Sequence, residues 1–204
     1  MSFYGRRILP HLLHFAMGQA QLRPFRQRVV GAAVGKVLEI GLGSGLNLPL
    51  YGLNVRSVIG VEPSAELLAM AERQVGRARI PVELLETSAE ALPLPSSSID
   101  TAVTTWTLCT ILDAVQALRE VRRVLKPGGV LLFVEHGRAP EPSVARWQDR
   151  LDRPWSRIAG GCHLNRPIDH LITDAGFRVE TLRHERVAGP PTHNFLYQGQ
   201  ARPR

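Results

Sequence analysis

The chain has 204 residues, of which 44% are hydrophobic, and this length and composition predict a single globular domain with a full core. No stretch approaches the roughly 18 consecutive apolar residues of a transmembrane helix. Two cysteines and no recognisable secretory signal exclude a disulfide framework, so we expect a cytoplasmic protein.

The net charge of +7 and the pI of 10.4 would ordinarily indicate an anionic partner. The charge is concentrated before Glu39, the first acidic residue, and the rest of the chain is close to neutral, at about +1. An enzyme acting on nucleic acid usually carries its basic surface around the site, so we expect no nucleic acid partner. The basic residues before Glu39 are Arg6, Arg7, Arg23, Arg26, Arg28 and Lys36.

Residues 8–17 are predicted to form an amphipathic helix, because apolar residues recur on one face at helical spacing. We interpret residues 1–34 as a helical segment before the main domain at 35–204, and we favour a lid over the site. The alternative is an interfacial anchor, because arginines flank the helix and acids are absent. Residues 1–28 would then contact a membrane, placing the protein on its inner face. The apolar face consists of Ile8, Leu12, Phe15 and Ala16.

A buried strand around Glu39 is predicted to end in a tight turn, because three glycines follow on alternate positions, Gly41, Gly43 and Gly45. Glycine lets the backbone bend sharply and lets a ligand lie against it. A second apolar strand ends in Glu62, 23 residues after Glu39. We therefore predict a site for a nucleoside ligand. Bare backbone of the glycine turn would lie against one end of the ligand, and the Glu62 carboxylate would accept hydrogen bonds from the ribose hydroxyls at the other end.

The spacing of the glycines favours some nucleosides over others. A dinucleotide fingerprint needs its third glycine where Leu46 stands, so an NAD-type site is a weaker alternative. A P-loop is excluded because no Gly-Lys-Ser/Thr follows the turn. An ordinary glycine turn is the remaining alternative, and Glu62 argues against it.

Strands and helices alternate from Val37 to Phe133, which predicts a parallel sheet with helices on both faces. Ligands bind at the carboxyl ends of such strands, so the segments just past the strand ends should converge on one cleft. The predicted strands are 37–40, 58–61, 82–86, 101–105, 130–134, 177–182 and 194–198, and the predicted helices are 64–76, 113–125 and 167–175. The converging segments are 41–45, residue 62, 88–90, 105–109 and 135–136.

The E-x-G-x-G-x-G pattern resembles motif I of class I S-adenosylmethionine (SAM) methyltransferases. Residues 88–95 and 98–100 resemble the DAExLPF…SFD stretch of their small-molecule branch, with Ser88 where Asp is usual, and residues 120–129 resemble its E-x-x-R-V-L-K-P-G-G. The resemblance implies an α/β, Rossmann-like, mostly parallel seven-stranded sheet and a methyltransferase that uses SAM and releases S-adenosylhomocysteine. It implies these cofactor-binding residues: Glu39, Gly41, Gly43, Ser44, Gly45, Asn47, Glu62, Pro63, Ser88, Ala89, Glu90, Thr105 and Trp106.

A narrower resemblance reaches into the C-terminal half and extends the match to about residues 35–200. Thr107-Leu108-Cys109, Glu135-His136 and Gly161-Cys162 resemble methyltransferase-like proteins that include mammalian alkyl-thiol methyltransferases. This resemblance implies a small or amphipathic acceptor, with a thiol favoured. The candidate catalytic residues are Cys109, His136 and Cys162, and the candidate acceptor-pocket residues are Trp147, Trp155, His163 and Arg166.

The insertion at about residues 138–166 is interpreted as a cap whose helix presents Trp147 and Trp155 as a roof over the acceptor. A stripe of arginines on the adjacent face is usually solvated, and contact with an anionic substrate or lipid headgroup is the alternative. Pro154 should kink or split this helix. No metal is expected, because Cys162-His163 has no further Cys/His spacing beside it.

Other functions stay open beside methylation of a small acceptor. The basic N-terminal helix indicates a phospholipid or quinone methyltransferase at a membrane surface. RNA or protein methylation is disfavoured, because no nucleic-acid module or N-P-P-Y/F-type motif is present. A non-enzymatic SAM-binding module is disfavoured by the glycine motif, by Glu62 and by an insertion suited to an acceptor. The sequence makes no prediction of the oligomeric state.

Overall fold

A single seven-stranded sheet organises the chain in the computed structural model, which describes residues 4–204. The strands are β1 (Gly35–Ile40), β2 (Val55–Val61), β3 (Val82–Leu85), β4 (Ile99–Thr105), β5 (Leu125–His136), β6 (Phe177–Arg186) and β7 (Phe195–Pro203). They lie in the order β3-β2-β1-β4-β5-β7-β6. β1 to β5 pair in parallel, and β7 runs antiparallel to β5 and β6. The predicted mostly parallel α/β sheet is confirmed.

Helices cover both faces of this sheet. They are α1 (Leu9–Met17), α2 (Arg23–Gly31), α3 (Ala65–Val75), α4 (Ala114–Val124), α5 (Pro142–Ile158) and α6 (Ile168–Asp174). Successive side chains of a strand point to opposite faces. On β1, Leu38 therefore enters a core with α4 and α6, whereas Val37 enters a second core with α2 and α3. Val30 of α2 is fully buried in that second core, so α2 is an integral part of the domain.

The helix starts agree with the sequence more closely than the strand starts do. Ser64 accepts a hydrogen bond from the Leu67 amide at 3.3 Å and Asp113 accepts one from the Gln116 amide at 2.9 Å, as N-caps do. β5 begins at Leu125, five residues before its predicted start, because Leu125 already pairs with Ile99 of β4; the glycine-containing stretch that follows is an irregularity in the ladder, which resumes at Val130.

α5 runs without division from Pro142 to Ile158, so Pro154 does not split the helix; of the two predicted effects, a split and a kink, the split is wrong. Proline leaves the carbonyl four residues earlier without its helical partner. That carbonyl belongs to Arg150, and both Arg150 and Pro154 lie on the exposed face of the helix, where solvent can take the place of the lost amide.

The apolar face predicted for the N-terminal helix is turned to solvent rather than to the protein. Leu12 is 50% exposed and Phe15 is 78% exposed, whereas Leu13 and Met17 face the domain. The Tyr4 hydroxyl donates a hydrogen bond to the Ile158 carbonyl at 2.8 Å, which ties this segment to the end of α5. Among residues 4–204 no helix is long and apolar enough to cross a membrane.

A buried polar cluster joins α2 to the end of β1. Glu39 accepts hydrogen bonds from Asn47 Nδ2 at 2.8 Å and from the Tyr51 hydroxyl at 2.7 Å. Arg26 donates to Asn47 Oδ1 at 3.0 Å and to Thr105 Oγ1 at 3.2 Å. Burial raises the pKa of Glu39 to about 7, although both hydrogen bonds and the Arg26 charge act to lower it. The turn after β1 is therefore supported by a carboxyl that resists ionisation.

The raised pKa of Glu39 predicts that stability depends on pH. The pKa is about 7 in the folded protein and 4.5 ordinarily, so the unfolded chain loses this proton first and the free energy of unfolding falls as pH rises from 4.5 to 7. Glu39→Gln removes this contribution. The stability difference between wild type and variant, measured by urea unfolding, should change by roughly 3 kcal/mol over that range. Glu83→Gln, at an exposed position of β3, is the control. A difference that is constant with pH contradicts the assignment.

Candidate functional site

A cavity of about 450 Å³ lies at the carboxyl ends of the parallel strands, a volume that suits a small organic ligand. The loops after β1 to β5 all line it, which is the convergence predicted from the strand ends. Helix α1 and the turn after α5 complete the wall. The predicted site residues that line the cavity are Gly41, Gly43, Ser44, Glu62, Pro63, Ser88, Ala89, Glu90, Thr105, Trp106, Cys109, His136 and Cys162.

The glycine turn shapes one end of this cavity. Gly43 has a φ of +58° and open space around its Cβ position, so bare backbone faces the ligand there. Gly45 has a φ of +78° and does not line the cavity. A Cβ at Gly45 would lie 3.1 Å from the Cα of Ala71, so this glycine lets α3 pack close to the turn. Gly43 and Gly45 therefore serve different purposes.

Glu62 is held in place beside the glycine turn. Its Oε2 accepts from the Gly43 amide and its Oε1 accepts from the Ser64 amide, each at 3.0 Å. Burial raises the pKa of Glu62, and the two amides partly offset this by stabilising the charged form. Each oxygen keeps a second lone pair, so the carboxylate can accept hydrogen bonds from the two hydroxyls of a ribose.

The loop after β3 supplies polar groups next to Glu62. The Ser88 hydroxyl is hydrogen-bonded to the Glu90 carboxylate, whose other oxygen accepts from the Asp113 amide at 3.1 Å. On the opposite wall, His14 Nδ1 lies 2.7 Å from the Ser44 hydroxyl. His14 was not predicted as a site residue, because no local pattern places α1 over the glycine turn.

Two predicted cofactor residues, Glu39 and Asn47, lie beneath the cavity rather than on its wall and act through the polar cluster described above. Arg26, which does line the cavity, was missed by the sequence analysis. Its guanidinium lies 4.8 Å from the ring centroid of Trp106. Trp106 has a φ of +52°, which is unusual for a bulky residue and is typical of functional sites.

The other end of the cavity contains sulfur and imidazole. Cys109 follows β4, His136 ends β5, and Cys162 follows α5, with His136 Nε2 lying 3.1 Å from Cys162 Sγ. A hydrogen bond to Cys109 and burial raise the pKa of the Cys162 thiol well above its ordinary value. Burial acts to lower the pKa of His136, but the hydrogen bond to Cys162 and the charge of Glu135 raise it.

Glu135 fixes the loop that carries Cys109. This fully buried carboxylate accepts from the Thr104 hydroxyl at 2.7 Å, from the Thr107 amide at 2.8 Å and from the Leu108 amide at 3.1 Å. Burial raises its pKa to about 7 against the lowering effect of these hydrogen bonds. The position of Cys109 next to the cavity therefore depends on Glu135.

The four predicted acceptor-pocket residues do not line this cavity. Trp147 is 55% exposed and lies under the Arg150 guanidinium on the outer face of α5. The buried face of α5 instead carries Gln148, which bonds the Ala139 amide and the Gly137 carbonyl, because these buried backbone groups need polar partners. Trp155 packs edge-on against His193, with ring centroids 4.4 Å apart.

The remaining two of these residues support the loops behind the sulfur atoms. His163 Nδ1 lies 2.8 Å from Asp152 on α5, and the His163 amide donates to the Cys109 carbonyl at 2.8 Å. Arg166 donates to the carbonyls of Leu108 and Ile111. Both residues therefore position the two cysteine loops rather than the acceptor itself.

Comparisons with known proteins agree with this geometry. A family model described as a methyltransferase domain matches residues 38–133. A thiol S-methyltransferase, TMT1B, from Rattus norvegicus is 39% identical over 80% of this chain and 66% of its own length, just under two thirds. A phosphatidylethanolamine N-methyltransferase from Cereibacter sphaeroides is 33% identical over 89% of each chain. A solved SAM-dependent methyltransferase of Thermotoga maritima, titled a possible histamine N-methyltransferase, superposes with a TM-score of 0.71 at 23% identity, covering 98% of both chains.

The fold and the glycine-lined cavity define a class I methyltransferase architecture. The chain belongs to the SAM-dependent methyltransferase family, and its cofactor is SAM. The residues present fit the cofactor, because Gly43 offers bare backbone and Glu62 offers a fixed carboxylate on the same cavity wall.

Gly43→Ala should weaken SAM binding at least tenfold, because a methyl group there enters the space over the glycine turn. Gly128→Ala is the matched control, since Gly128 has a φ of +80° and open surroundings but lies near the start of β5, away from the cavity. Both variants bear the backbone strain of a left-handed alanine, about 1–2 kcal/mol. Calorimetric titration with SAM should separate them, and equal losses of affinity would contradict the site assignment.

Proposed function

We propose that this protein transfers a methyl group from SAM to a small, apolar or amphipathic thiol. The observation that carries the proposal is the chemistry of the cavity end formed by the loops after β4, β5 and α5. Its polar side chains include two cysteines and an imidazole, and its apolar lining includes Ile111 and Leu112. The acidic lining residues within the described chain, Glu62 and Glu90, follow β2 and β3 instead.

This distribution favours a neutral, soft acceptor. An ammonium acceptor is best held by a carboxylate, and the sulfur end offers none among the described lining residues. A thiol carries little desolvation penalty until it ionises, and it packs well against sulfur and apolar carbon. The similarity to a thiol S-methyltransferase supports the same acceptor class.

SAM, when bound, supplies a methyl group on a sulfonium, which is activated for in-line displacement. The protein residues hold the reactants and exclude water. Gly43 and Glu62 would hold the nucleoside. Cys109, His136 and Cys162 would bind and orient the acceptor sulfur, which must be a thiolate to react. Arg166 donates to the carbonyls of Leu108 and Ile111 in the loop that carries Cys109, and its positive charge would also favour an anionic sulfur near that loop.

Turnover of SAM to S-adenosylhomocysteine should depend on an added alkyl thiol. Hydrogen sulfide and a series from methanethiol to hexanethiol form the panel, and each added methylene should raise kcat/KM by about fourfold until the apolar end is filled.

Cys162→Ser should lower thiol kcat/KM at least tenfold while the dissociation constant of SAM stays unchanged. Trp147→Phe, on the outer face of α5, is the control. Bound SAM with no thiol turnover, or with equal losses in both variants, contradicts the proposal.

A second candidate function is methylation of a phospholipid headgroup or a quinone at a membrane surface. The exposed apolar face of α1 favours it, because Leu12 and Phe15 point to solvent beside basic residues such as Arg7 and Arg23. Leu112, which lines the cavity, is 91% exposed and could belong to the same surface. The similarity to a phosphatidylethanolamine N-methyltransferase supports this alternative.

Vesicles of phosphatidylglycerol and phosphatidylethanolamine separate the two candidates. If the second function holds, the protein should sediment with these vesicles at low salt and form methylated phosphatidylethanolamine. The double variant Leu12→Ser/Phe15→Ser should reduce both effects. Leu53→Ser is the control, because Leu53 is also exposed but lies just before β2, at the amino ends of the parallel strands and away from the cavity. Thiol turnover without vesicle binding or lipid methylation would refute the second candidate.

A further inference from the structure

Three side chains that ligate soft metals meet at the sulfur end of the cavity. The sulfur atoms of Cys109 and Cys162 and a ring nitrogen of His136 all lie within 4.8 Å of one another. The three residues come from separate segments of the chain, so their meeting is a product of the tertiary fold. They line the same cavity as the glycine turn and Glu62.

The fold holds each of these residues independently of any ligand. Cys109 lies in the loop fixed by Glu135, and its carbonyl accepts from the His163 amide at 2.8 Å, which ties the two cysteine loops together. Asp152 holds the second loop through the Leu164 amide at 2.7 Å. His136 is paired with Leu196 in the sheet. The cluster is therefore preorganised rather than assembled from mobile side chains.

His136 also carries unsatisfied bonding capacity. Its Nε2 faces Cys162 Sγ, and its buried Nδ1 has no hydrogen-bond partner among residues 4–204. One edge of the ring therefore faces the Cys162 sulfur, and the other edge, although buried, makes no hydrogen bond. A buried imidazole with this environment is suited to a ligand that the side chains bind jointly.

We propose that Cys109, His136 and Cys162 bind one Zn²⁺ ion, with the sulfur of the acceptor thiol as its fourth ligand. Tetrahedral zinc with bonds of about 2.3 Å to sulfur and about 2.0 Å to nitrogen requires S···S separations of about 3.8 Å and S···N separations of about 3.6 Å. The observed separation of 3.1 Å between His136 Nε2 and Cys162 Sγ, and the 4.8 Å limit on all pairs, differ from these values by about 1 Å or less.

The donor set fits a zinc that takes part in chemistry rather than a structural zinc. Structural sites close the tetrahedron with four protein ligands, whereas three protein ligands leave one position for a water or a substrate. Binding releases the two cysteine thiol protons to solvent, and the resulting thiolates neutralise the charge of the ion. Thiolate and imidazole ligands favour zinc over magnesium or calcium.

The fourth position gives the acceptor a route to ionisation, and this step rests on the proposed function. A thiol that coordinates zinc loses its proton to solvent, because the metal strongly stabilises the thiolate. A third thiolate gives the site a net charge of −1, and the positive charge of Arg166, which is bonded to the carbonyls of Leu108 and Ile111 on either side of Cys109, offsets it. The zinc ligands would thus supply the nucleophilic form of sulfur at neutral pH.

Metal analysis of the full-length wild-type protein tests the site directly. Protein purified with reductant and dialysed against metal-free buffer should retain about one zinc per chain by mass spectrometry. Protein stripped of zinc and titrated with Co²⁺ should develop the intense visible bands and the sulfur charge-transfer band of a tetrahedral cobalt thiolate. Substoichiometric zinc with only weak, octahedral cobalt bands, or an isolated Cys109–Cys162 disulfide without metal, would overturn the inference.

Variants locate the ion within the cavity. Cys109→Ser, Cys162→Ser and His136→Gln should each weaken zinc binding by more than about 100-fold, beyond the effect typical of losing an outer-shell partner. His14→Gln is the matched control, because His14 lines the same cavity but contacts Ser44. Circular dichroism verifies that each variant is folded. The cobalt spectrum of the wild-type protein tests the site without any substitution, so it remains decisive if a variant fails to fold. Equal zinc retention in His14→Gln and His136→Gln would overturn the assignment.

Adding hexanethiol to the cobalt-substituted protein tests the fourth ligand. The charge-transfer band should increase and the visible bands should shift, because a third thiolate joins the ion. An unchanged spectrum would overturn this part of the inference. The zinc site and the proposed function can fail separately. Zinc binding without thiol turnover would contradict the proposed function and support the zinc site. Undiminished thiol turnover in a zinc-free protein would contradict the role of zinc and support the proposed function.

Discussion

The buried carboxylate of Glu135 is the interaction on which the site depends. It accepts three hydrogen bonds from the end of β4 and the loop after it, and this loop carries Trp106 and Cys109 to the cavity. The three donors only partly offset the effect of burial, which raises the pKa of Glu135 to about 7. Because His136 is the next residue, the same short stretch of β5 sets both the loop and the imidazole. The boundary between the cofactor end and the sulfur end is therefore fixed by one strand terminus.

The N-terminal segment completes the cavity from the other side. Arg26 connects α2 to Asn47 and Thr105, and His14 of α1 contacts Ser44 in the glycine turn. Not all of the basic residues of this segment lie on the surface, since Arg26 is only 7% exposed and makes its hydrogen bonds inside the protein. The same helix α1 turns its apolar face outward. One segment therefore both closes the site and offers the surface on which a membrane-bound acceptor would depend.

The cofactor half could be predicted from the sequence because its signals are local. Glycines after a buried strand, and an acid after the next strand, determine where bare backbone and Glu62 lie once the sheet is parallel. The acceptor half could not, because its geometry is tertiary. The face of α5 that is buried is decided by the bonds of Gln148 rather than by the tryptophans. Cys109, His136 and Cys162 lie far apart in sequence, so no spacing indicated that they would meet, and only its charge distinguished Arg26.

In the proposed function, one cavity holds the nucleoside at the glycine turn and the acceptor sulfur at the two cysteines. A crystal structure with S-adenosylhomocysteine and hexanethiol, with anomalous data collected at the zinc edge, tests this most directly. The ribose should lie against Glu62, and the thiol sulfur should lie about 2.3 Å from an anomalous peak that Cys109, His136 and Cys162 surround. A thiol bound outside this cavity, or a nucleoside over the cysteines, would contradict the account.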